Sequence, residues 1–274
     1  QSLKGKLESS GNNQVRNVLM VFQFSIAIIM IVGTLVLWSQ IDYMRNKDLG
    51  FDKEQVVSFP LNGKRNSHDM VDLLRDELSG NAEIVSVSGS DSNLGLGKDG
   101  SRSSSGIGFE YKGRIVMTNF LIVDHEYVQT LGLDMVAVRN FESAADSLGV
   151  VINESMAKEL GEQDPLTSQL EIEDGIFYPV LGVVKDYNFK DLDRAIAPMT
   201  FFMSRQQDLT YGFVKVAPTN MANSFVALEN AWKKLEPNAD FLGSFLDENI
   251  DRTFRQEKTT AKMISSGSLL AIVL

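Results

Sequence analysis

VLMVFQFSIAIIMIVGTLVLW, residues Val18–Trp38, is an uncharged apolar run of 21 residues. At about 1.5 Å per residue such a run reaches across a hydrocarbon core of roughly 30 Å. It is longer than the roughly 7–15 residues of a signal-peptide core, and no small-x-small cleavage pattern follows it. Trp38 and Tyr43 instead fall where interfacial aromatics belong. The sequence therefore predicts a retained transmembrane helix over 18–38. On its N-terminal side, residues 1–17 form a polar juxtamembrane segment. At the far end, SGSLLAIVL (Ser266–Leu274) begins a second apolar run, so 264–274 is expected to open a second transmembrane helix. The polar stretch between them, 39–263, is long enough to bury a core of its own.

Charge narrows the partners. The chain carries −10 overall. Residues 1–38 hold Lys4, Lys6 and Arg16 against Glu8, which leaves −12 on the rest. An acidic domain argues against a nucleic-acid partner, because a phosphate backbone demands a basic face. With no cysteine, disulfides, iron–sulfur clusters and thiol catalysis are excluded. Basic residues follow the first apolar run (Arg45, Lys47, Lys53) and precede the second (Arg252, Arg255, Lys258, Lys262). By count they lean towards a cytoplasmic domain, in the setting where that rule is weakest, a long loop.

Within 39–263 the hydrophobic periodicity changes twice from strand to helix and back. QVVSFP (Gln55–Pro60) reads as a strand, and Ser67–Leu78 as a helix with Met70, Leu73, Leu74 and Leu78 on one face. EIVSV (Glu83–Val87) reads as a second strand. Tyr211–Val216, a helix through Met221, Phe225, Leu228, Trp232 and Leu235 ended by Pro237, and Phe241–Phe245 repeat that order. Two such β-α-β units sharing one sheet make an α+β domain. The middle segment, 89–205, is a mixed insertion. It begins with a Gly/Ser-rich loop over Gly89–Gly108, and its strands are expected at Asn119–Val123, Gly149–Ile152, Gln169–Ile172 and Phe177–Val184. The last two flank an Asp174-Gly175 hairpin turn. Asp124 and Asn153 are expected to cap short helices closed by Gly132 and Gly161. Asp247–Met263 has neither Pro nor Gly and reads as a helix leading to the second apolar run.

Candidate chemistry is thin. GLGKDG around Lys98 lacks the glycine and the Ser/Thr of a phosphate loop, having Ser92 and Asp99 at those places. Asp124-His125-Glu126 has ligand-type residues, but neighbours on a helix diverge, which favours a helix start with a surface histidine. His68 and His125 are far apart in sequence and in no ligand-like spacing. Glu171, Glu173 and Asp174 read as a solvated acidic turn rather than a calcium site. The sequence offers no catalytic, cofactor-binding or metal-binding residue.

Several segments together resemble the FtsX-like, MacB-type permeases of ABC transporters, in the two-repeat form common in Bacteroidetes. They are Leu3-Lys4-Gly5-Lys6 followed by the apolar run and QIDYMRNKDLGFDKEQVV, then VDHEYVQTLGL (Val123–Leu133) and VVINESMAKELG (Val150–Gly161). VLGVVKDYNFKDL (Val180–Leu192) and FRQEKTTAKM (Phe254–Met263) complete the order. One departure is VAVRNF (Val136–Phe141), where relatives have a glycine before the arginine. The resemblance implies a multi-pass bacterial inner-membrane protein, with 39–263 as a periplasmic core domain. Residues 55–88 and 211–245 would be its porter-like part, 89–205 an inserted subdomain, and 247–263 a stalk helix. The opening looks like the start of the second permease repeat. The implied partners are a separate cytoplasmic ABC ATPase subunit, a second permease copy or repeat and membrane lipid, with room for a periplasmic or outer-membrane partner. The function implied is export or mechanotransmission, with no enzyme activity and no cofactor in this chain. A sensor domain between two membrane helices of a signalling receptor is the alternative, and a membrane-anchored hydrolase a more distant one.

Overall fold

The computed structural model describes residues 10–101, 105–173, 175–188 and 195–253, together with Arg255, Thr259 and Met263. The chain divides into two units, Gln1–Lys47 with Phe254–Leu274, and Asp48–Thr253. In the first, α1 (Ser10–Asn46) contains the apolar run and extends past it at both ends. Its stretch Gln14–Gln40, 27 residues, is long and apolar enough to cross a membrane. Phe24 and Ile29 are each 69 % exposed, a surface suited to lipid rather than water. Two hydroxyls within it bond back to the helix. Ser25 Oγ donates to Val21 O and Thr34 Oγ1 to Met30 O, both at 2.8 Å, as a hydrocarbon setting requires. The expected second transmembrane helix, 264–274, lies outside the described residues, as do residues 1–9 and most of 254–263.

The second unit runs β1 (Val56–Pro60), α2 (Ser67–Leu78), β2 (Ile84–Ser90), β3 (Ser105–Tyr111), β4 (Arg114–Ile122), α3 (Tyr127–Leu131) and β5 (Met135–Val138). It continues as β6 (Val150–Asn153), α4 (Glu154–Leu160), β7 (Gln169–Glu173), β8 (Ile176–Val184) and β9 (Met199–Phe202). The last elements are β10 (Tyr211–Val216), α5 (Met221–Leu235), β11 (Ser244–Phe245) and α6 (Leu246–Thr253).

The outer elements form one four-stranded sheet in the order β11-β1-β10-β2. Its ladders are all antiparallel, with Val57 opposite both Val214 and Phe245, and Val87 opposite Val214. Each β-α-β unit therefore has its two parallel strands parted by a strand of the other unit. This is the split, ferredoxin-like arrangement. Its connection from β2 to β10 carries residues 91–210 in place of a short turn. A second sheet, in the order β3-β4-β9-β6-β8-β5 with β7 paired to β8, is built from that insertion. Its β4–β9 and β6–β8 pairs are parallel and its other pairs antiparallel. The mixed α+β class expected from the sequence is the class found.

Alternation decides what covers each face of the first sheet. Val57, Phe59, Val214 and Val216 point into a core closed by α2 and α5. There the Phe59 and Trp232 rings meet edge-on at 5.5 Å, and Met70, Leu74 and Leu228 complete the packing. Val56, Tyr211 and Phe213 point the other way, against Tyr127 of α3 and Phe201 of β9. The Tyr127 and Phe213 rings are 5.5 Å apart and nearly perpendicular. A sheet buried on both faces explains why all of VVSFP is buried.

Local signals account for most boundaries. Asn66 Oδ1 accepts from the His68 and Asp69 amides and starts α2. Asn153 Oδ1 accepts from Met156 N at 2.9 Å, so the expected cap of α4 is present. α3 differs from expectation. It begins at Tyr127 with Glu126 as its cap residue, and Asp124 sits one turn earlier, its Oδ1 accepting from the Glu126 amide at 3.1 Å and its carbonyl from the Tyr127 amide at 3.0 Å. The loop expected over 89–108 is shorter, since β2 runs to Ser90 and β3 starts at Ser105, although 102–104 lie outside the described residues. Asp174 of the expected turn and 189–192 of the VLGVVKDYNFKDL segment also lie outside them.

The glycine missing before Arg139 is matched by one across the sheet. Gly182 of β8 pairs with Val138, and a Cβ on it would press into Arg139 O and the Met135 side chain. Gly182→Ala is expected to lower the unfolding free energy by about 1–3 kcal/mol through overpacking. Gly80→Ala, where a Cβ would meet nothing within 4 Å, is expected to change it by less than about 0.5 kcal/mol. Urea unfolding of the two variants side by side checks this.

Candidate functional site

Two places in the Asp48–Thr253 unit join its parts, and neither is built around a reacting group. The first is the seam between α2 and the start of α3. Arg75, in the last turn of α2, donates from Nη2 to Val87 O at 2.9 Å and to Asp124 Oδ1 at 2.7 Å. Its Nη1 reaches Asp72 at 2.7 Å, and its Nε lies 3.6 Å from Glu126. Asp124 Oδ2 is 3.2 Å from His125 Nδ1. The helix starts only at Tyr127, so helical divergence is not what separates Asp124, His125 and Glu126. Asp124 and Glu126 both face the Arg75 guanidinium, whereas His125 contacts Asp124. Among the described residues no group of three or more His, Asp or Glu could hold a metal ion.

Charge at this seam is set by competing effects. Burial pushes Asp124 up. The hydrogen bond from His125 and the Arg75 charge outweigh it, and the carboxyl lies below its ordinary value. His125 is held above its ordinary value, first by its hydrogen bond to Asp124 and against the pull of burial. Beside the pair is a cleft of about 380 Å³, lined by both histidines, Tyr178, Phe202, Met203 and Arg205. The sequence separates the two histidines by more than fifty residues. The fold brings them to one wall because α2 and the β4–α3 connection meet there.

The second place is where the chain enters and leaves the unit. Asp247 N donates to Lys53 O at 3.0 Å, and Val216 N to Gln55 O at 2.8 Å. Asp52 pairs with Lys215 at 2.6 Å. From α6, the buried Asn249 donates from Nδ2 to Ser58 Oγ at 2.7 Å and accepts from Ser244 Oγ at 2.6 Å. Arg252 donates to Ser244 Oγ, to Asn249 Oδ1 and, from Nε at 2.9 Å, to Leu96 O. Leu96 N in turn donates to Asn249 O at 3.1 Å. Gly95 (φ +71°) lies so close to the Asn249 backbone that a Cβ would stand 2.8 Å from its carbonyl carbon. α6 is therefore bonded to β1, to β11 and to the loop that leaves the sheet for the insertion. Sequence reading missed this joint, because its serines, asparagine and arginine come from three elements, β1, β11 and α6. Lys98, considered for phosphate, lies over the Phe225 ring at 5.6 Å.

The fold is a ferredoxin-like sheet opened at its central connection to hold a second, mixed sheet. The periplasmic region of MacB from Actinobacillus actinomycetemcomitans has it. That structure matches with a TM-score of 0.54 at 17 % identity, over 77 % of this chain and 97 % of its own. At this identity the match establishes the fold. The extracellular domain of the noncanonic ABC-type transporter YknZ from Gram-positive bacteria is similar at a TM-score of 0.48 and 12 % identity, over 69 % of this chain and 98 % of its own. No family model matches the sequence, and no curated protein matches it.

Two expectations follow from this geometry. His125 acquires its partners on folding, so the stability it adds is complete below about pH 6.5, its unfolded value, and is lost as pH rises through the higher folded value. Asp124 adds stability that is complete above its unfolded value of 3.8 and is lost as pH falls through its lower folded value. His125→Gln should flatten the decline in stability above about pH 6.5 and leave the acid limb in place. Thermal unfolding across pH reads both limbs. At the joint, Asn249→Ala strands the Ser58 hydroxyl and leaves Ser244 Oγ only its bond from Arg252, and should cost about 1–3 kcal/mol for the buried group left unpaired. Ser58→Ala in the same background should recover part of that loss in urea unfolding.

Proposed function

We propose that the chain is part of the transmembrane permease subunit of an ABC transporter, with Asp48–Thr253 on the outer side of the membrane. A separate cytoplasmic ATPase would supply the energy, and the membrane helices would carry movement between that subunit and the outer domain, in export or in mechanotransmission. On this reading the chain has no reaction of its own. Its partners are the ATPase, a second permease copy or repeat, membrane lipid, and a periplasmic or outer-membrane component.

The observation that carries the reading is the joint at the unit's two chain ends. A domain with the fold of the MacB periplasmic region follows in sequence a helix long enough to cross a membrane. Its entry segment at Lys53 and its exit helix α6 are hydrogen-bonded to each other and to strands of one sheet, the entry to β10 and α6 to β1 and β11. A pull on α6 would therefore reach the sheet through directional bonds, not through a loose linker. The ordered segments quoted above that resemble FtsX-like permeases support the same assignment. The count of basic residues points the other way for orientation, and the fold outweighs it because long loops cross largely regardless of charge.

Two measurements test the proposal. The full-length protein, purified from native membranes, is expected to bring down an ATPase subunit; a complete gene encoding only two membrane helices would overturn the reading. The cysteine-free sequence also permits single-cysteine mapping. Lys64→Cys, at an exposed position, should react with a membrane-impermeant maleimide in intact cells, and reaction only after lysis would place the domain inside.

A further inference from the structure

The cleft at the α2 seam has features that neither the joint nor the permease reading uses. Its floor is apolar and aromatic: Val123, Tyr178, Phe202 and Met203 are all buried. Its lips are large apolar side chains with no core to fill, Leu148 at 69 % and Ile176 at 41 % exposed. A volume of about 380 Å³ falls within the roughly 300–1,000 Å³ of small-molecule pockets.

Charge decides the class of occupant. His68, Asp124, His125 and Arg205 line the cleft, and each already has a partner. Arg205 Nη2 donates to Asp72 at 2.9 Å, Asp124 accepts from Arg75 at 2.7 Å, and His125 Nδ1 is 3.2 Å from Asp124. The His68 Nε2 lies 2.8 Å from Gln207 O. An anionic or cationic head entering here would lose hydration and find no free counter-charge among these residues, which is costly. An apolar body would lose only unfavourable contact with water. Ser147, Ser204 and Gln206 on the rim offer hydrogen bonds to a neutral polar end.

We propose that this cleft binds the apolar end of an uncharged amphiphile, with Leu148 and Ile176 closing over it and the paired charges excluding ionised analogues. The proposal does not depend on the permease reading, and its test involves no ATPase.

Because the sequence has no cysteine, a single Leu148→Cys reports on the cleft alone. The full chain in lipid vesicles is labelled with N-ethylmaleimide and with N-cyclohexylmaleimide, and Val85→Cys, 54 % exposed and outside the cleft, corrects for partition into lipid. The cyclohexyl reagent should gain about tenfold over the ethyl reagent at position 148 relative to position 85, from the extra apolar surface buried. Adding Ile176→Trp, which fills the mouth, should abolish the gain while position 85 is unchanged. Octan-1-ol should slow labelling at position 148 more than octanoate or octylammonium at the same concentration. Equal relative rates at the two positions would overturn the proposal and leave the cleft to a polypeptide side chain. Stronger protection by either ion than by the alcohol would overturn the charge argument.

Discussion

The ladder between β2 and β10 is the contact on which the rest of the domain depends. It pairs Ser88 with Phe213 and Val87 with Val214 across the whole of residues 91–210. Without it β2 has no neighbour in this sheet, because β1 and β2 do not pair, and the first β-α-β unit is left open. The cost is a long loop closure, which grows only slowly with length and is reduced here because the insertion folds on itself. The insertion also returns something to the sheet. Tyr127 and Phe201 cover the face that α2 and α5 leave open, so the sheet that holds the insertion's ends is in turn buried by it.

The architecture was legible where periodicity is strong and local. The apolar run of α1, the faces of α2 and α5, and the order strand-helix-strand on both sides of the insertion could be read from single segments. What could not be read was pairing. β3 was hidden in a Gly/Ser-rich stretch, since SGIGFEY has few apolar residues and owes its strand to β4. The turn that joins them is Lys112-Gly113, with both residues at positive φ, a two-residue hairpin turn without the usual Asn or Asp. β9 escaped notice because its four residues, all buried, carry no alternation. Asp124 was legible as a helix-start residue, but its partner Arg75 lies on another element, and the competition for its carboxylate is settled only in three dimensions.

The same limit applies to the functional places. The cleft combines two histidines from distant segments, and the joint takes Ser58, Ser244, Asn249 and Arg252 from a strand, a second strand and a helix. Sequence patterns carry information about one face of one element at a time. Sites made of edges and ends, each residue individually ordinary, leave no such pattern.

The joint's polarity is itself informative. The face of β1 that meets α2 and α5 is closed by Val57, Phe59 and Trp232, and similar side chains could have held α6. Apolar packing is non-directional and tolerates sliding, whereas a buried network of hydroxyl, amide and guanidinium groups is satisfied in one register only. Asn249 uses both ends of its amide, and moving α6 by one residue would strand Ser58, Ser244 and Leu96 O together. The network therefore adds little net stability for its burial and a great deal of positional definition. On the proposed reading of the chain as part of a permease, that trade would suit a helix that keeps its grip on a sheet when force is applied to its end.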